Sequence, residues 1–322
     1  MAQHENKSVE VRVKISERID GITGIAPAYR GTVLPAPKSV KIELTAACNY
    51  ACKFCVQAVQ KGSGTMDRAL YSRLIREMRE AGVEELGLFY IGESFLCSWL
   101  PDAIREAKEV GFPYVFLTTN GSAATPSKVE ACMASGLDSL KFSINFTGPS
   151  QLADVAQVSP RFFEQAITHL IAARQIRDKG GYKCGIYASS IAFDGEQGER
   201  MKEVVERIKP WVDEAYWLPL YGMNGAAKAA GLKPRPGNPG RLDNMRDPLP
   251  CWSVSMEGHI NHDGTMSACC FGPGEKREFV MSDLNEVDFR TGWNSLKYQQ
   301  LREAHLNMDV RGTICEGCAA GS

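Results

Sequence analysis

From Ser39 onward the chain alternates short runs rich in β-branched and aromatic residues with amphipathic stretches, six times over. Strands are expected at 40–44 (VKIEL), 86–91 (LGLFYI), 114–119 (YVFLTT), 139–144 (SLKFSI), within 182–193 and at 214–220. Between them, segments such as DRALYSRLIREMREAG carry apolar residues at helical spacing. A strand, a helix and a further strand, repeated, is the pattern of a parallel sheet with crossover helices. Six such units make an open, partial (β/α)6 TIM barrel within an α/β fold, not a closed eightfold one.

The flanks read differently. Residues 1–37 are polar, then rich in Gly, Pro and Ala, and are expected to form an irregular N-terminal arm; the barrel occupies 38–220. Residues 221–250 are crowded with Gly and Pro and read as a linker or substrate-facing loop. In 251–322 a hairpin, MEGHI-NHDG-TMSACC, turns on an Asp-Gly pair, and a helix, GWNSLKYQQLREAHL, leads to the last cysteines.

A chain of 322 residues with 44% hydrophobic content has ample material for a buried core. With a net charge of −1 and no dense Lys/Arg block, it lacks the footprint of a nucleic-acid binder. No run approaches the roughly 18 apolar residues of a membrane span, and the N-terminus lacks a signal-peptide core, so a soluble cytoplasmic protein is expected.

Eleven cysteines without a secretory signal point to metal ligands or buried small hydrophobes, not to a disulfide framework. Cys97, Cys132 and Cys184 are scattered singly and read as core residues. Cys48, Cys52 and Cys55 stand at C-x3-C-x2-C spacing directly after the first strand. Three thiolates on one short loop can hold three irons of a cubane, leaving the fourth open. A structural zinc wants four ligands, commonly as paired C-x2-C. An open iron suits S-adenosylmethionine (SAM), whose amino and carboxylate groups chelate metal while the protein supplies placement.

Later, Cys251-x12-Gly264-x4-Cys269 is followed by Cys315-x2-Cys318. Two ligands flanking a hairpin and two on a terminal pair can converge on one centre, and four thiolates suit zinc or [4Fe-4S] alike.

The first spacing, with Phe54 before its last cysteine, resembles the signature of radical SAM enzymes, and the resemblance covers roughly residues 38–220. It implies that Phe54 packs on the adenine. It also implies that Gly92 and Glu93, in a Tyr-Ile-Gly-Glu variant of the family's GGE motif, meet the methionyl amine through the backbone. Thr118, Asn120, Ser143 and Asn145 would meet the SAM carboxylate and ribose, and Leu218 would pack near the adenine. All stand at C-terminal strand ends, where barrel active sites lie.

The second spacing resembles the twitch module, a shortened relative of the SPASM domain. That resemblance implies one auxiliary [4Fe-4S] cluster on Cys251, Cys269, Cys315 and Cys318. The vicinal Cys270 is then a packed residue, the alternative ligand, or a hydrogen donor to substrate.

Such an enzyme cleaves SAM reductively to a 5′-deoxyadenosyl radical, abstracts a C–H hydrogen, and oxidises or epimerises its substrate. An outside electron donor such as flavodoxin or ferredoxin is implied. Twitch enzymes of this length and layout act on 2-deoxy-scyllo-inosamine and neomycin, which favours a small carbohydrate or aminocyclitol substrate. Peptide-modifying relatives commonly carry a leader-recognition domain before the core, for which 37 residues leave no room, so ribosomal peptide modification ranks second. A non-catalytic iron–sulfur electron carrier ranks third. Glu93, Tyr187, Tyr221, Asp263 and Arg302 read equally as pocket or packing residues.

Overall fold

A computed structural model describes residues 14–58, 62–222, 226–229, 233, 240–270 and 278–319. The first thirteen residues of the expected arm and much of the expected linker lie outside the described residues.

Six strands, β1 (Ser39–Ile42), β2 (Glu85–Gly87), β3 (Tyr114–Thr119), β4 (Ser139–Ser143), β5 (Gly185–Ile191) and β6 (Glu214–Leu218), pair in parallel and in chain order. Around them run α1 (Ile15–Thr23), α2 (Arg68–Ala81), α3 (Leu100–Val110), α4 (Pro126–Ala134), α5 (Pro149–Ala156), α6 (Arg161–Gly180) and α7 (Gly195–Ile208). α2 shows how sequence sets these helices. Asp67 caps it by accepting from the Leu70 amide at 2.9 Å, and Gly82 ends it at φ 105°, a left-handed conformation that glycine adopts without strain. Tyr71, Leu74, Ile75 and Met78, on one stripe, are buried against the sheet.

The remaining elements are α8 (Ala226–Ala229), α9 (Ser253–Met256), β7 (Glu257–Ile260), β8 (Thr265–Ser267), β9 (Val280–Asp283), α10 (Phe289–Trp293), α11 (Leu296–Leu306) and α12 (Glu316–Ala319). The expected hairpin forms from β7 and β8, with Gly264 at φ 88° in its turn. It is not a separate sheet. β7 pairs in parallel with β1, so the order β6-β5-β4-β3-β2-β1-β7-β8-β9 is continuous. Open at both ends, this sheet is a partial barrel extended by a hairpin, and the pairing covers a β1 edge that would otherwise expose unpaired backbone groups.

The expected irregular arm contains a helix, and this corrects the sequence reading. α1 crosses the N-terminal ends of the strands: the Ser16 amide donates to Glu214 Oε2 at 3.2 Å, and Arg18 pairs with Glu85. Arg18 also lies over the rings of Tyr114 and Phe116. Surrounding Gly and Pro residues hide the short periodicity of ISERIDGIT, and tertiary partners hold the helix where propensity alone would not.

The following stretch is tied to the C-terminal elements. Asn294 accepts from the Leu34 amide at 2.9 Å, Trp293 Nε1 donates to the Pro35 carbonyl at 2.8 Å, and buried Arg302 donates to the carbonyls of Val254, Thr32 and Trp293. Arg302 is therefore a packing residue that stitches three segments. Cys97, Cys132 and Cys184 are buried, as expected of core residues. No helix among the described residues is long and apolar enough to cross a membrane.

Candidate active site

The loop after β1 carries Cys48, Cys52 and Cys55, and it is held from two sides. Asn120, just past β3, donates to Asn49 Oδ1 at 2.9 Å, and Asn49 donates to Ser122 Oγ at 2.8 Å. After β2, Gly92 approaches so closely that a Cβ there would stand 2.0 Å from the Thr45 carbonyl oxygen, so only glycine fits. The Glu93 amide donates to the Ala47 carbonyl at 2.9 Å. The Glu93 carboxylate is buried and accepts from Thr119 Oγ1 at 2.7 Å and from the Asn120 amide at 2.8 Å. Glu93 thus ties two strand ends together, and its side chain is already engaged.

Sequence reasoning missed Glu43, just past β1. Its Oε1 accepts from the Ile91 and Gly92 amides at 3.3 and 3.2 Å, and its Oε2 stands 3.1 Å from His262 Nδ1 in the hairpin turn. One carboxylate therefore fastens the glycine loop and the C-terminal hairpin to the same strand. A charged residue inside a buried strand, Glu in VKIEL, was the available signal.

The three loop thiols are electrostatic neighbours. Burial, and after it Cys55 and Cys48, push the Cys52 thiol up, and burial takes Cys48 up to about 12. Such thiols stay protonated until metal replaces the proton. The C-terminal group behaves likewise: burial, then Cys269, Cys251 and Cys318, raises Cys315. Cys251 is raised by burial, with Cys269, Cys318 and Cys270 adding, and Cys318 by burial and then Cys270. Both vicinal thiols thus lie within reach of the group. The Cys251 amide donates to His305 Nδ1 at 3.2 Å, and burial holds His305 down at about 4, keeping it a neutral acceptor.

Among the described residues no three His, Cys, Asp or Glu side chains close on a single metal ion.

Two cavities lie beneath the loop. Phe54, stacked on Phe146 at 6.3 Å, lines one of about 260 Å³ with Asn145 and Phe193. The other, about 330 Å³, is walled by Thr118, Ser143, Asn145, Leu218 and Cys270, and closed below by α1. Asn145 belongs to both, and its buried Oδ1 has no hydrogen-bond partner among the described residues. An orphaned acceptor between an aromatic slot and a second chamber fits a nucleoside whose hydroxyls need a partner.

Of the residues left open by sequence, Tyr187 is buried packing and Asp263 holds the hairpin turn through Thr265. Tyr221 lines the larger cavity, its hydroxyl donating to the Gly240 carbonyl at 2.6 Å. Sequence reasoning also passed over the charged groups of that cavity. Lys41 donates to Glu257 at 2.7 Å, and Glu257 stands 3.0 Å from His259 Nε2. Against a burial that works the other way, Lys41 and His259 hold Glu257 down at about 2.

Residues 42–208, more than half of the chain, match the Radical SAM superfamily, and residues 251–319 match the SPASM iron-sulfur cluster-binding domain. An S-adenosylmethionine-dependent nucleotide dehydratase of Lacinutrix mariniflava is 38% identical over 97 residues, 28% of this chain and 20% of its own. The PqqA peptide cyclase of Ruegeria pomeroyi is 34% identical over 123 residues, 38% of this chain and 32% of its own. The match thus spans a third or less of these relatives' length.

Among solved structures, BtrN in complex with AdoMet and 2-DOIA superposes with a TM-score of 0.56 at 16% identity, covering 88% of this chain and 91% of that one. Streptococcus suis SuiB bound to precursor peptide SuiA gives 0.66 at 15% identity, covering 84% and 67%. At such identity these structures show a shared fold. The two matched domains, with the thiols they contain, account for SAM and two [4Fe-4S] clusters as the cofactors. By the extent of the first match and the cysteine loop within it, the chain belongs to the radical SAM superfamily, joined to a C-terminal SPASM or twitch iron–sulfur domain.

Proposed function

We propose that this radical SAM enzyme oxidises or epimerises a small polar substrate of the carbohydrate or aminocyclitol class. The observation that carries the reading is the cavity of about 330 Å³ whose wall includes Thr118, Ser143, Asn145, Leu218 and Cys270. Its volume is at the small end of ligand pockets, of a size for one sugar ring.

Cys48, Cys52 and Cys55 would hold the cluster at which SAM binds, with Phe54 at the adenine and Asn145 at the ribose. Cys251, Cys269, Cys315 and Cys318 would hold the auxiliary cluster. When bound, the clusters exchange electrons and SAM provides the 5′-deoxyadenosyl group that takes a hydrogen atom from the substrate.

The residues of the chain do the rest. The loop clasped by Glu43, Asn49 and Gly92 fixes where that group points. α1 lines the chamber floor with Ile15, Ile19 and Ile22. Cys270 adjoins Cys269 and lines the chamber, and in this reading its thiol would hand a hydrogen atom to the substrate carbon, breaking S–H and forming C–H with inversion. The thiyl left on Cys270 would then return to the thiol by taking a proton and an electron that the outside donor supplies through the auxiliary cluster. For oxidation, the carbon would instead lose a second electron to the auxiliary cluster, and its hydroxyl would lose its proton by way of the ionised Glu257 carboxylate, which Lys41 and His259 flank. Peptide modification is the second reading. An outer cavity of about 810 Å³ shares Thr23 and Trp252 with the inner one and offers room for a longer substrate. Peptide-modifying proteins among the relatives and fold neighbours support it further.

The test uses the substrate that transfers deuterium into 5′-deoxyadenosine. Cys270→Ala should still form 5′-deoxyadenosine but fail to invert the stereocentre, and the wild type in D2O should place one deuterium in the product. Normal inversion by Cys270→Ala ends the donor role, and a carbonyl product assigns oxidation.

A further inference from the structure

Four cations line the inner cavity, and three of them have a carboxylate of their own. Arg18 pairs with Glu85, Lys41 with Glu257 at 2.7 Å, and Arg241 with Asp20 at 2.8 Å. Lys141, in the middle of β4, has none. Among the described residues its ammonium forms no ion pair or hydrogen bond, and the face of Tyr216 lies 6.0 Å away. An ammonium inside a barrel and without a counter-charge is costly, and such a group persists where something else supplies the charge.

We propose that Lys141 is the anion-recognition residue of the reaction chamber, and that the substrate carries a carboxylate or phosphate group which it binds. The proposal rests on the preceding reading of this cavity as the place where substrate sits. It narrows that reading: a cationic aminocyclitol would meet an unpaired positive charge, whereas an acidic or phosphorylated sugar would neutralise it.

Register places the group. Residues two apart on a strand share a face, so Lys141 faces inward with Ser143 and Asn145. It lies below them by about 7 and about 13 Å of strand rise. The carboxylate of SAM belongs at the rim beside the cysteine loop, too far above for Lys141 to be its partner. A sugar ring with one anionic substituent bridges the interval, with its reacting carbon up and its charge down.

The surroundings agree in sign. Burial first, then Lys41 and Arg18, pull Lys141 down to about 7, while Cys270 and Glu257 oppose them. Thr118 of β3 and Tyr187 of β5 stand opposite Lys141 on the two neighbouring strands, and the Tyr216 ring of β6 lies beyond. An anion arriving at this point restores the ammonium, so anion affinity should rise as pH falls through that value.

The experiment is calorimetric titration of the cluster-loaded, SAM-bound protein with four probes: glucuronate, glucose 6-phosphate, glucose and glucosamine. The expected result is that at least one anionic probe binds about tenfold or more tightly than glucose and glucosamine. Which of the two does so separates carboxylate from phosphate. Lys141→Gln and Lys141→Met should abolish the preference, and Lys141→Arg should keep it.

The proposal is overturned if glucosamine binds as tightly as the anions, or if neither anion exceeds glucose. It is likewise overturned if either neutral variant retains the preference, or if SAM affinity falls while probe preference stays. Because the wild-type preference alone can overturn it, a variant that does not fold leaves the test intact. Formation of 5′-deoxyadenosine by the wild type is scored separately, so failure of the enzyme reading is distinguishable from failure of the charge assignment.

Discussion

At the rim of the barrel the polar side chains hold one another: Glu93 binds Thr119 and Asn120, Asn120 binds Asn49, and Glu43 binds the Ile91 and Gly92 amides. In the chamber below, Lys141 forms no ion pair and Asn145 Oδ1 has no partner among the described residues. A satisfied network fixes geometry, and here it fixes a cysteine loop whose position must not vary. Unsatisfied groups cost stability and are kept where a ligand completes them. On the proposed reading the rim serves the chemistry shared across the superfamily, and the chamber would serve the substrate of this chain.

The sharpest break of this division is at the rim's cysteines. With Cys48, Cys52 and Cys55 all changed to Ala, reconstituted protein should fall from about eight irons to about four, one cubane's worth. Iron analysis checks this, and a full complement of iron in the variant would show that the first site lies elsewhere.

Arg302 offers the next largest effect, on stability rather than chemistry. Its guanidinium satisfies three buried carbonyls and stacks over Trp293, so Arg302→Ala should cost about 3 kcal/mol in denaturant unfolding. A loss below about 1 kcal/mol would mean that water replaces it easily. Glu43→Ala frees the Ile91 and Gly92 amides and the hairpin turn at once. It should cost about 2 kcal/mol and weaken SAM binding, as equilibrium binding would report.

The smallest effect runs in the opposite direction and marks the chamber. Lys141→Met should stabilise the ligand-free protein by about 1 kcal/mol near pH 7, by removing an unpaired, half-buried charge. The sign follows from linkage. With the folded value of Lys141 near 7 and the unfolded value at its ordinary 10.5, the unfolded chain binds more protons between the two, so stability rises with pH across that window. The cost is present in full below pH 7 and is relieved as pH climbs through 10.5. Thermal melts of wild type and Lys141→Met should therefore converge at alkaline pH. A destabilised variant at pH 7 would place Lys141 among the satisfied residues.

The same division explains what was legible in the sequence. Rim residues follow a spacing: C-x3-C-x2-C after a strand, Gly-Glu after the next, and polar residues at the third and fourth strand ends. Such positions are set by local chain geometry and read directly. Lys41, Lys141 and Glu257 become neighbours only when β1, β4 and β7 close around one space. β7 arrives beside β1 from more than two hundred residues away, which no local pattern announces. α1 was hidden for a related reason, since its stability comes from Glu85, Glu214 and Arg241 partners outside its own segment. Charged residues at inward positions of the strands, as in VKIEL and SLKFSI, were the one local clue.

The central claim is that the rim binds SAM at an open iron and turns it over. The direct measurement is anaerobic incubation of the reconstituted wild-type protein with SAM and dithionite, with 5′-deoxyadenosine and methionine quantified. The account predicts both products in equal amounts, formed slowly without substrate. Intact SAM beside a fully reduced cluster would contradict it and leave an electron carrier in its place.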